Sequence, residues 1–205
     1  MAHDIEQCLK WYPINPGLSS AVVMRHLLMR LQKVLLGDVP GDVVEMGCHA
    51  GGTSVFFARM LAETSPSRTL YLYDSFKGLP ARHPKDNQNY GTPGSVHTAM
   101  ETVIRRFEKE RLPMPRIHHG WFRDLQPIDI PDKVAFGFFD GDMYESILDS
   151  FRLIYPRMEP GAVVCVHDYA VDNWPGVKSA CDDFLADKPE RMTNPVFLLG
   201  VLIKQ

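Results

Sequence analysis

Two aspartates separated by a glycine, Asp140-Gly141-Asp142, follow a short apolar run from Val134 to Phe139. A run of that length, rich in β-branched and aromatic residues and bounded by turn residues, indicates a strand buried on both faces. A helical pattern from Tyr144 to Tyr155 comes next. Carboxylates at the carboxyl end of a buried parallel strand lie where open α/β sheets bind ligands. Asp142 could simply cap the helix, but capping would leave Asp140 without a purpose.

Polar residues also end three other apolar runs, at Glu45-Met46-Gly47, Asp74-Ser75 and His167-Asp168. Because strand crossovers are right-handed, the carboxyl ends of parallel strands share one edge of a sheet. We therefore expect all four strand ends to meet in a single site.

The elements that must position these residues alternate between strand and helix patterns. The pattern predicts strands at 43–46, 69–73, 116–119, 134–139, 162–166 and 196–204, and helices at 18–36, 53–63, 98–111, 144–155 and 175–186. Such alternation predicts a mostly parallel α/β sheet with helices on both faces.

The remaining segments define the domain organisation. At 205 residues, the chain is most simply one domain, 1–205. Within it, residues 1–40 are expected to hold an irregular arm, up to about residue 16, and the first helix. The segment 77–97 is rich in Pro, Gly and Asn and lacks apolar periodicity. A long loop of that composition directly after a strand end is typical of an active-site lid.

The segment after the first strand reads E-x-G-x-x-x-G-G, from Glu45 to Gly52. Glycines between a strand and a helix let a ligand approach backbone N–H groups and the positive end of the helix dipole. His49 stands where the dinucleotide fingerprint G-x-G-x-x-G needs its second glycine, and the Lys of a phosphate-binding P-loop is missing. Asp74, at the next strand end, suits the two hydroxyls of a ribose. This combination favours a nucleoside with little phosphate.

Composition excludes several other classes of protein. The hydrophobic fraction of 45% and charged fraction of 23% are ordinary for a globular protein. The net charge of −3 and the lack of a basic block leave no electrostatic footprint for nucleic acid. No signal peptide or apolar run near ~18 residues is visible, so we expect no membrane association and a cytoplasmic location. The four scattered cysteines favour reduced, buried thiols.

Four motifs in order, D-S-F-K-G-L-P, G-W-F-R-D, D-G-D-M-Y-E-S and H-D-Y, resemble the macrocin O-methyltransferase family. The similarity runs from about Gly41 to Phe184. It implies a Rossmann-like class I methyltransferase fold with a seven-stranded sheet and S-adenosylmethionine as cofactor. It also implies a small-molecule or glycan substrate, with methylation of a sugar hydroxyl on a deoxyhexose such as rhamnose.

The resemblance also implies roles for individual residues in binding the cofactor. Glu45, Gly47 and Gly51 would lie near its methionine part and Asp74 on its ribose. The residues expected around the adenine are Ser75, Phe76, Gly120 and Trp121. Phe76 or Trp121 could stack on the purine ring, although either could equally belong to the core.

The part of the site where the acceptor hydroxyl is methylated is expected to bind a divalent cation. A sugar hydroxyl is a poor nucleophile, and a cation bound to it would lower its pKa. Asp140 and Asp168 can converge on one ion, Mg²⁺ or Mn²⁺, and the resemblance makes Asp142 the general base. The family commonly shows D-D-Y where this chain has H-D-Y. His167 would ligate as a neutral imidazole, which favours Mn²⁺ over Mg²⁺, or would not ligate at all.

Three other functions compete with this interpretation. A catechol-type O-methyltransferase shares the metal chemistry but takes a planar diol. A nicotinamide-dependent oxidoreductase would need the missing glycine fingerprint. A binding module without catalysis would have no use for clustered carboxylates. The sequence leaves open which sugar and hydroxyl are used, and whether the chain forms a homo-oligomer or is one domain of a larger protein.

Overall fold

The protein is described by a computed structural model that covers residues 5–10 and 20–205. Within these residues, a single seven-stranded sheet forms the centre of the fold. Its strands are β1 Asp42–Met46, β2 Leu70–Asp74, β3 Arg116–His119, β4 Val134–Phe139, β5 Met158–Tyr169, β6 Thr193–Val196 and β7 Leu198–Ile203. They lie in the order β3-β2-β1-β4-β5-β7-β6.

Strands β1 to β5 are parallel to one another, whereas β7 pairs antiparallel with both β5 and β6. β4 is buried along its whole length, because Phe136 and Phe138 pack on one face while Val134 and Phe139 pack on the other. The mostly parallel sheet and the doubly buried central strand confirm the predicted fold class.

Six helices cover the sheet in the described part of the chain. They are α1 Ile5–Lys10, α2 Ala21–Leu36, α3 Ser54–Thr64, α4 Met100–Glu110, α5 Tyr144–Ile154 and α6 Pro175–Leu185. The first four contribute side chains to the core on one face, and α5 and α6 to the core on the other. All five predicted helices are confirmed, since local apolar periodicity determines where a helix can bury a face.

The expectation of an irregular N-terminal arm is wrong for Ile5–Lys10, which is helical. This short helix buries Cys8 and packs on α2, where Glu6 pairs with Arg25 at 2.6 Å. Tertiary contact therefore stabilises a segment too short to be helical alone. The rest of the predicted arm and the predicted start of the second helix at residue 18 lie outside the described residues.

The C-terminal segment also differs from its prediction as one strand over 196–204. It forms the two antiparallel strands β6 and β7, which turn at Phe197 and Leu198. Leu198 has a φ of +73°, a conformation that bulky residues rarely adopt, so sequence preference gave no turn signal. β5, in turn, extends beyond its predicted end and carries His167 and Asp168 in its last residues.

The 77–97 segment contains no helix or strand, as expected, but it is anchored at several points. The backbone N–H of Leu79 donates to Ser95 O at 2.9 Å, which closes the base of the loop. Further along, the buried Asp86 carboxylate accepts the N–H of Tyr144, the first residue of α5, at 2.8 Å. Along the chain the loop connects β2 to α4, and this hydrogen bond attaches its middle to the start of α5. Whether it acts as a lid stays a prediction.

Candidate functional site

A cavity of about 410 Å³ opens at the carboxyl edge of the sheet. Residues at or just after the ends of β1, β2, β4 and β5 line it, so the structure brings the four polar strand ends together. Eight of the predicted site residues line it, namely Gly47, Asp74, Ser75, Trp121, Asp140, Asp142, His167 and Asp168. The other four, Glu45, Gly51, Phe76 and Gly120, do not line this cavity.

Gly47 allows the ends of β1 and β4 to approach closely. It has a φ of +94°, and a Cβ at this position would lie 2.2 Å from the backbone oxygen of Asp140. Gly51 matters for packing instead, because a Cβ added at this position would lie 3.2 Å from the side chain of Val103 in α4. The first glycine shapes the site, whereas the second permits a helix to pack against the loop.

Glu45 is buried in β1, two residues before the cavity-lining Gly47, with only 1% of its surface exposed. Its Oε2 accepts a hydrogen bond from Ser54 Oγ at 2.5 Å. Burial raises the pKa of Glu45 to about 8, since the hydrogen bond from Ser54 offsets only part of the cost of desolvating a carboxylate. Asp140 and Asp74 add to the rise through charge repulsion.

Asp74 holds two loops in place with its carboxylate. Oδ2 accepts the backbone N–H of His49 at 2.8 Å, and Oδ1 accepts that of Phe76 at 2.7 Å. Each carboxylate oxygen can accept a second hydrogen bond, so the side chain can still bind ribose hydroxyls. Asp74 therefore fits the predicted role and also fixes the glycine loop.

The residues expected around an adenine divide into two pairs. Ser75 and Trp121 line the cavity, and Ser75 Oγ accepts the N–H of Lys77 at 3.1 Å. Phe76 instead packs edge-on against His119, with ring centroids 5.4 Å apart, and contributes to the core. Gly120 donates its N–H to Asp74 O at 2.9 Å and so positions Trp121, the next residue.

The three predicted metal ligands converge at the other end of the cavity. Atoms of Asp140, His167 and Asp168 that could bind a metal all lie within 4.8 Å of one another. His167 Nδ1 is 3.1 Å from Asp140 Oδ1 and 3.2 Å from Asp168 Oδ2. Both ring nitrogens of His167 are buried, and neither makes a well-oriented hydrogen bond to any described residue.

Opposing effects act on the pKa of His167. Burial lowers it, but the charges of Asp140 and Asp168 and their contacts with the ring outweigh burial and raise it to about 11. Two carboxylates and one imidazole are a donor set that fits a divalent cation. The same carboxylates hold a proton on the imidazole, so a cation and this proton compete for the site.

Asp142 lies beside this cluster with a φ of +59°. Burial raises its pKa well above the usual value, and the nearby charges of Asp140 and Asp168 raise it further. A carboxylate in such surroundings binds a proton more strongly than one in water.

Among the cavity-lining residues that received no role from sequence, three have features that suit ligand binding. His49 Nδ1 is buried without a hydrogen-bond partner among the described residues, next to where the cofactor is expected. An unpaired buried nitrogen on a cavity wall fits a ligand that supplies the missing hydrogen bond. The other two residues are Tyr90 and Trp174, which only the folded loop brings together. No sequence signal linked them.

A seven-stranded sheet in this order, with a glycine loop after β1 and an acidic residue ending β2, defines a class I methyltransferase fold. The structure resembles that of the O-methyltransferase NovP, with a TM-score of 0.80 and 27% sequence identity over 89% of this chain and 79% of that one. The chain belongs to the macrocin O-methyltransferase (TylF) family, whose sequence profile matches residues 9–201.

Two relatives illustrate the family's acceptors. A tetracenomycin rhamnosyl 4'-O-methyltransferase of Streptomyces olivaceus is 34% identical over 77% of this chain and 61% of its own length. Mycinamicin III 3''-O-methyltransferase of Micromonospora griseorubida is 31% identical over 72% of this chain and 63% of its own. The chain thus spans less than two thirds of the length of these relatives.

None of the chain's described helices has the length and apolarity needed to cross a membrane.

Proposed function

We propose that this protein transfers a methyl group from S-adenosylmethionine to a sugar hydroxyl of a glycosylated small molecule, with help from a divalent cation. The proposal is based on one observation: the residues expected to bind the cofactor and those expected to bind the cation line the same cavity. Asp74 and Ser75 line one part of it, and the cluster of Asp140, His167 and Asp168 lines another. A cofactor and an acceptor could therefore meet within it.

The cofactor half is supported by Asp74 and the loop after β1. The Asp74 carboxylate holds the N–H groups of His49 and Phe76 and retains free lone pairs for ribose hydroxyls. His49 Nδ1, which has no hydrogen-bond partner among the described residues, offers a further hydrogen bond to the bound nucleoside or its methionine part. These groups orient the cofactor before reaction, which reduces the entropic cost of bringing the methyl group to the acceptor.

The reaction forms an oxygen–carbon bond and breaks the sulfur–carbon bond of the cofactor. The acceptor hydroxyl loses its proton, and the products are the methyl ether and S-adenosylhomocysteine. Asp142 would receive that proton, because its carboxylate lies in the cavity and binds a proton more strongly than a solvated carboxylate. The hydroxyl oxygen supplies the electron pair of the new bond, and the sulfur keeps the pair of the bond that breaks.

The cation would be held by Asp140, His167 and Asp168, whose donor atoms fit Mg²⁺ or Mn²⁺. When bound, it would lower the pKa of an acceptor hydroxyl. The three side chains otherwise keep that end of the cavity polar and negatively charged.

The choice of a sugar acceptor is supported by the relatives. One acts on a rhamnosyl group of a tetracenomycin and another on mycinamicin III. A deoxyhexose such as rhamnose on a natural product is the acceptor that we infer for this chain. A planar catechol is the competing acceptor, since a metal-assisted site can methylate either.

The test is a methylation assay with labelled S-adenosylmethionine, Mg²⁺ or Mn²⁺, and two sets of acceptors. One set contains deoxyhexosides whose ring hydroxyls are free, including methyl α-L-rhamnoside and a rhamnosylated aromatic polyketide. The other contains catechols. Label in a methyl ether of the sugar supports the proposal. Transfer to catechols alone, or tight binding of a nicotinamide dinucleotide in place of S-adenosylhomocysteine, would overturn it.

A further inference from the structure

Two aromatic side chains from separate segments meet on the cavity wall. Trp174 lies immediately before α6, and Tyr90 belongs to the 77–97 loop. Their ring centroids are 5.0 Å apart at an interplanar angle of 76°, an edge-to-face contact, and both residues line the cavity. Tyr90 is 46% exposed, and Trp174 is partly exposed although it also packs against the core below α5 and α6, so the pair presents apolar surface to the cavity.

The order of the strands places Trp174 on the part of the sheet edge that carries the carboxylate cluster. Asp74 ends β2, next to β1 and its glycine loop, whereas Asp168 lies near the end of β5, two strands beyond β1. Trp174 is in the connection from β5 to α6, and its N–H donates to Val171 O at 2.9 Å. Trp174 therefore follows the strand that carries Asp168, whereas the residues assigned to the nucleoside lie at the ends of β1 and β2.

Local packing keeps the two rings in position. Gly91, with a φ of +69°, lies so close to Trp174 that a Cβ would come within 2.7 Å of Cζ3. The same Cβ would come within 2.9 Å of the Met143 methyl group, so no larger residue fits between Met143 and the indole. Asp86 attaches the same loop to the start of α5. The aromatic pair is thus built into the folded loop.

We propose that Trp174 and Tyr90 form the subsite that binds the sugar ring of the acceptor. The faces of aromatic rings carry partial negative charge, which attracts the slightly positive C–H groups on one face of a pyranose. A deoxyhexose adds a methyl group, whose burial against the rings gives further stabilisation. This inference rests on the proposed function and adds the surface that would recognise the acceptor.

Substitutions in the pair should weaken acceptor binding and leave cofactor binding unchanged. Trp174→Leu and Tyr90→Ala should each raise KM for methyl α-L-rhamnoside by roughly tenfold, the size expected when an aromatic contact of about 1.4 kcal/mol is lost. The dissociation constant of S-adenosylhomocysteine, measured by calorimetry, should stay within about twofold. Tyr90→Phe keeps the ring and should retain most of the affinity. Phe197→Ala removes an exposed ring outside the cavity and serves as the matched control.

The outcomes separate this inference from the proposed function. If the unsubstituted protein methylates deoxyhexosides and both variants keep its KM for the sugar, the subsite assignment is wrong while the function stands. If the unsubstituted protein methylates only catechols, the function fails and the inference fails with it. Should Trp174→Leu not fold, Tyr90→Ala decides alone, because its side chain is exposed on the loop. A loss of cofactor affinity equal to the rise in KM would assign the pair to the nucleoside.

Discussion

His167 Nδ1 lies 3.1 Å from Asp140 Oδ1, which joins the ends of two neighbouring strands, β4 and β5. Asp168 Oδ2 approaches the same nitrogen at 3.2 Å. The imidazole therefore occupies the space between two carboxylates that would otherwise repel each other. Their charge can be balanced either by a proton on the imidazole or by a cation bound to the deprotonated ring and the carboxylates, and the two are alternatives.

Removal of metal should abolish turnover. Exhaustive chelation should stop methyl transfer, and Mg²⁺ or Mn²⁺ should restore it. Asp140→Asn and Asp168→Asn should weaken Mn²⁺ binding at least about tenfold in calorimetry, since fewer anionic ligands bind a hard cation less tightly. Asp172→Asn, at an exposed position after β5, is the matched control. Full turnover after chelation would show that the metal assignment is wrong.

Asp142→Asn should separate catalysis from binding. The amide cannot accept the acceptor's proton, so kcat should fall by roughly 10²–10⁴-fold, the usual contribution of a positioned general base. Affinity for Mn²⁺ and for S-adenosylhomocysteine should change little. Rapid-quench measurement of a single turnover gives the chemical step directly. An unchanged rate for that step would remove Asp142 from the reaction.

Asp74→Ala should weaken binding of S-adenosylhomocysteine by about 1–3 kcal/mol, from lost charge-assisted hydrogen bonds. Part of that loss is indirect, because the carboxylate also holds the N–H groups of His49 and Phe76. Calorimetry measures the affinity, and hydrogen exchange of the glycine loop reports the indirect part. Asp124→Ala, an exposed carboxylate near the cavity, is the control. Equal affinities in the two variants would contradict a ribose contact.

Glu45 should make stability fall as pH rises. Its pKa is raised from 4.5 to about 8 on folding, so the folded state holds a proton that the unfolded state releases between these values. The free energy of unfolding should then decrease from about pH 4.5 to pH 8. Glu45→Gln should remove this part of the slope and stabilise the protein near pH 8 by roughly a few kcal/mol. Denaturant titrations without metal or cofactor at several pH values would test it, and parallel slopes would refute it.

Asp86 should keep the 77–97 loop in place. Asp86→Ala removes the acceptor for the N–H groups of Tyr144 and His83, so the loop should lose hydrogen-exchange protection. Adding cofactor and acceptor together should slow exchange in the loop of the unsubstituted protein, as expected for a lid. Asp187→Ala, at an exposed site outside the cavity, is the control. Strong protection that does not respond to ligands would contradict the lid.

The amino-acid sequence by itself determined the main elements and the edge on which the site lies. Five helices and the parallel strands followed from apolar periodicity, which is a local property of the chain. The convergence of Asp74, Asp140 and Asp168 followed from the fixed handedness of strand crossovers. Burial of β4 on both faces likewise followed from its uninterrupted apolar run.

Only the tertiary structure decided what each polar group contacts. In the folded protein Glu45 is buried outside the cavity lining, both oxygens of Asp74 accept backbone N–H groups, and Tyr90 contacts Trp174. The tertiary structure also turned the C-terminal strand at Leu198. These outcomes depend on contacts between residues far apart in the chain, whose free energies no local pattern encodes. Periodicity tells which face of an element is buried, whereas the partner on that face is selected by packing of the whole fold.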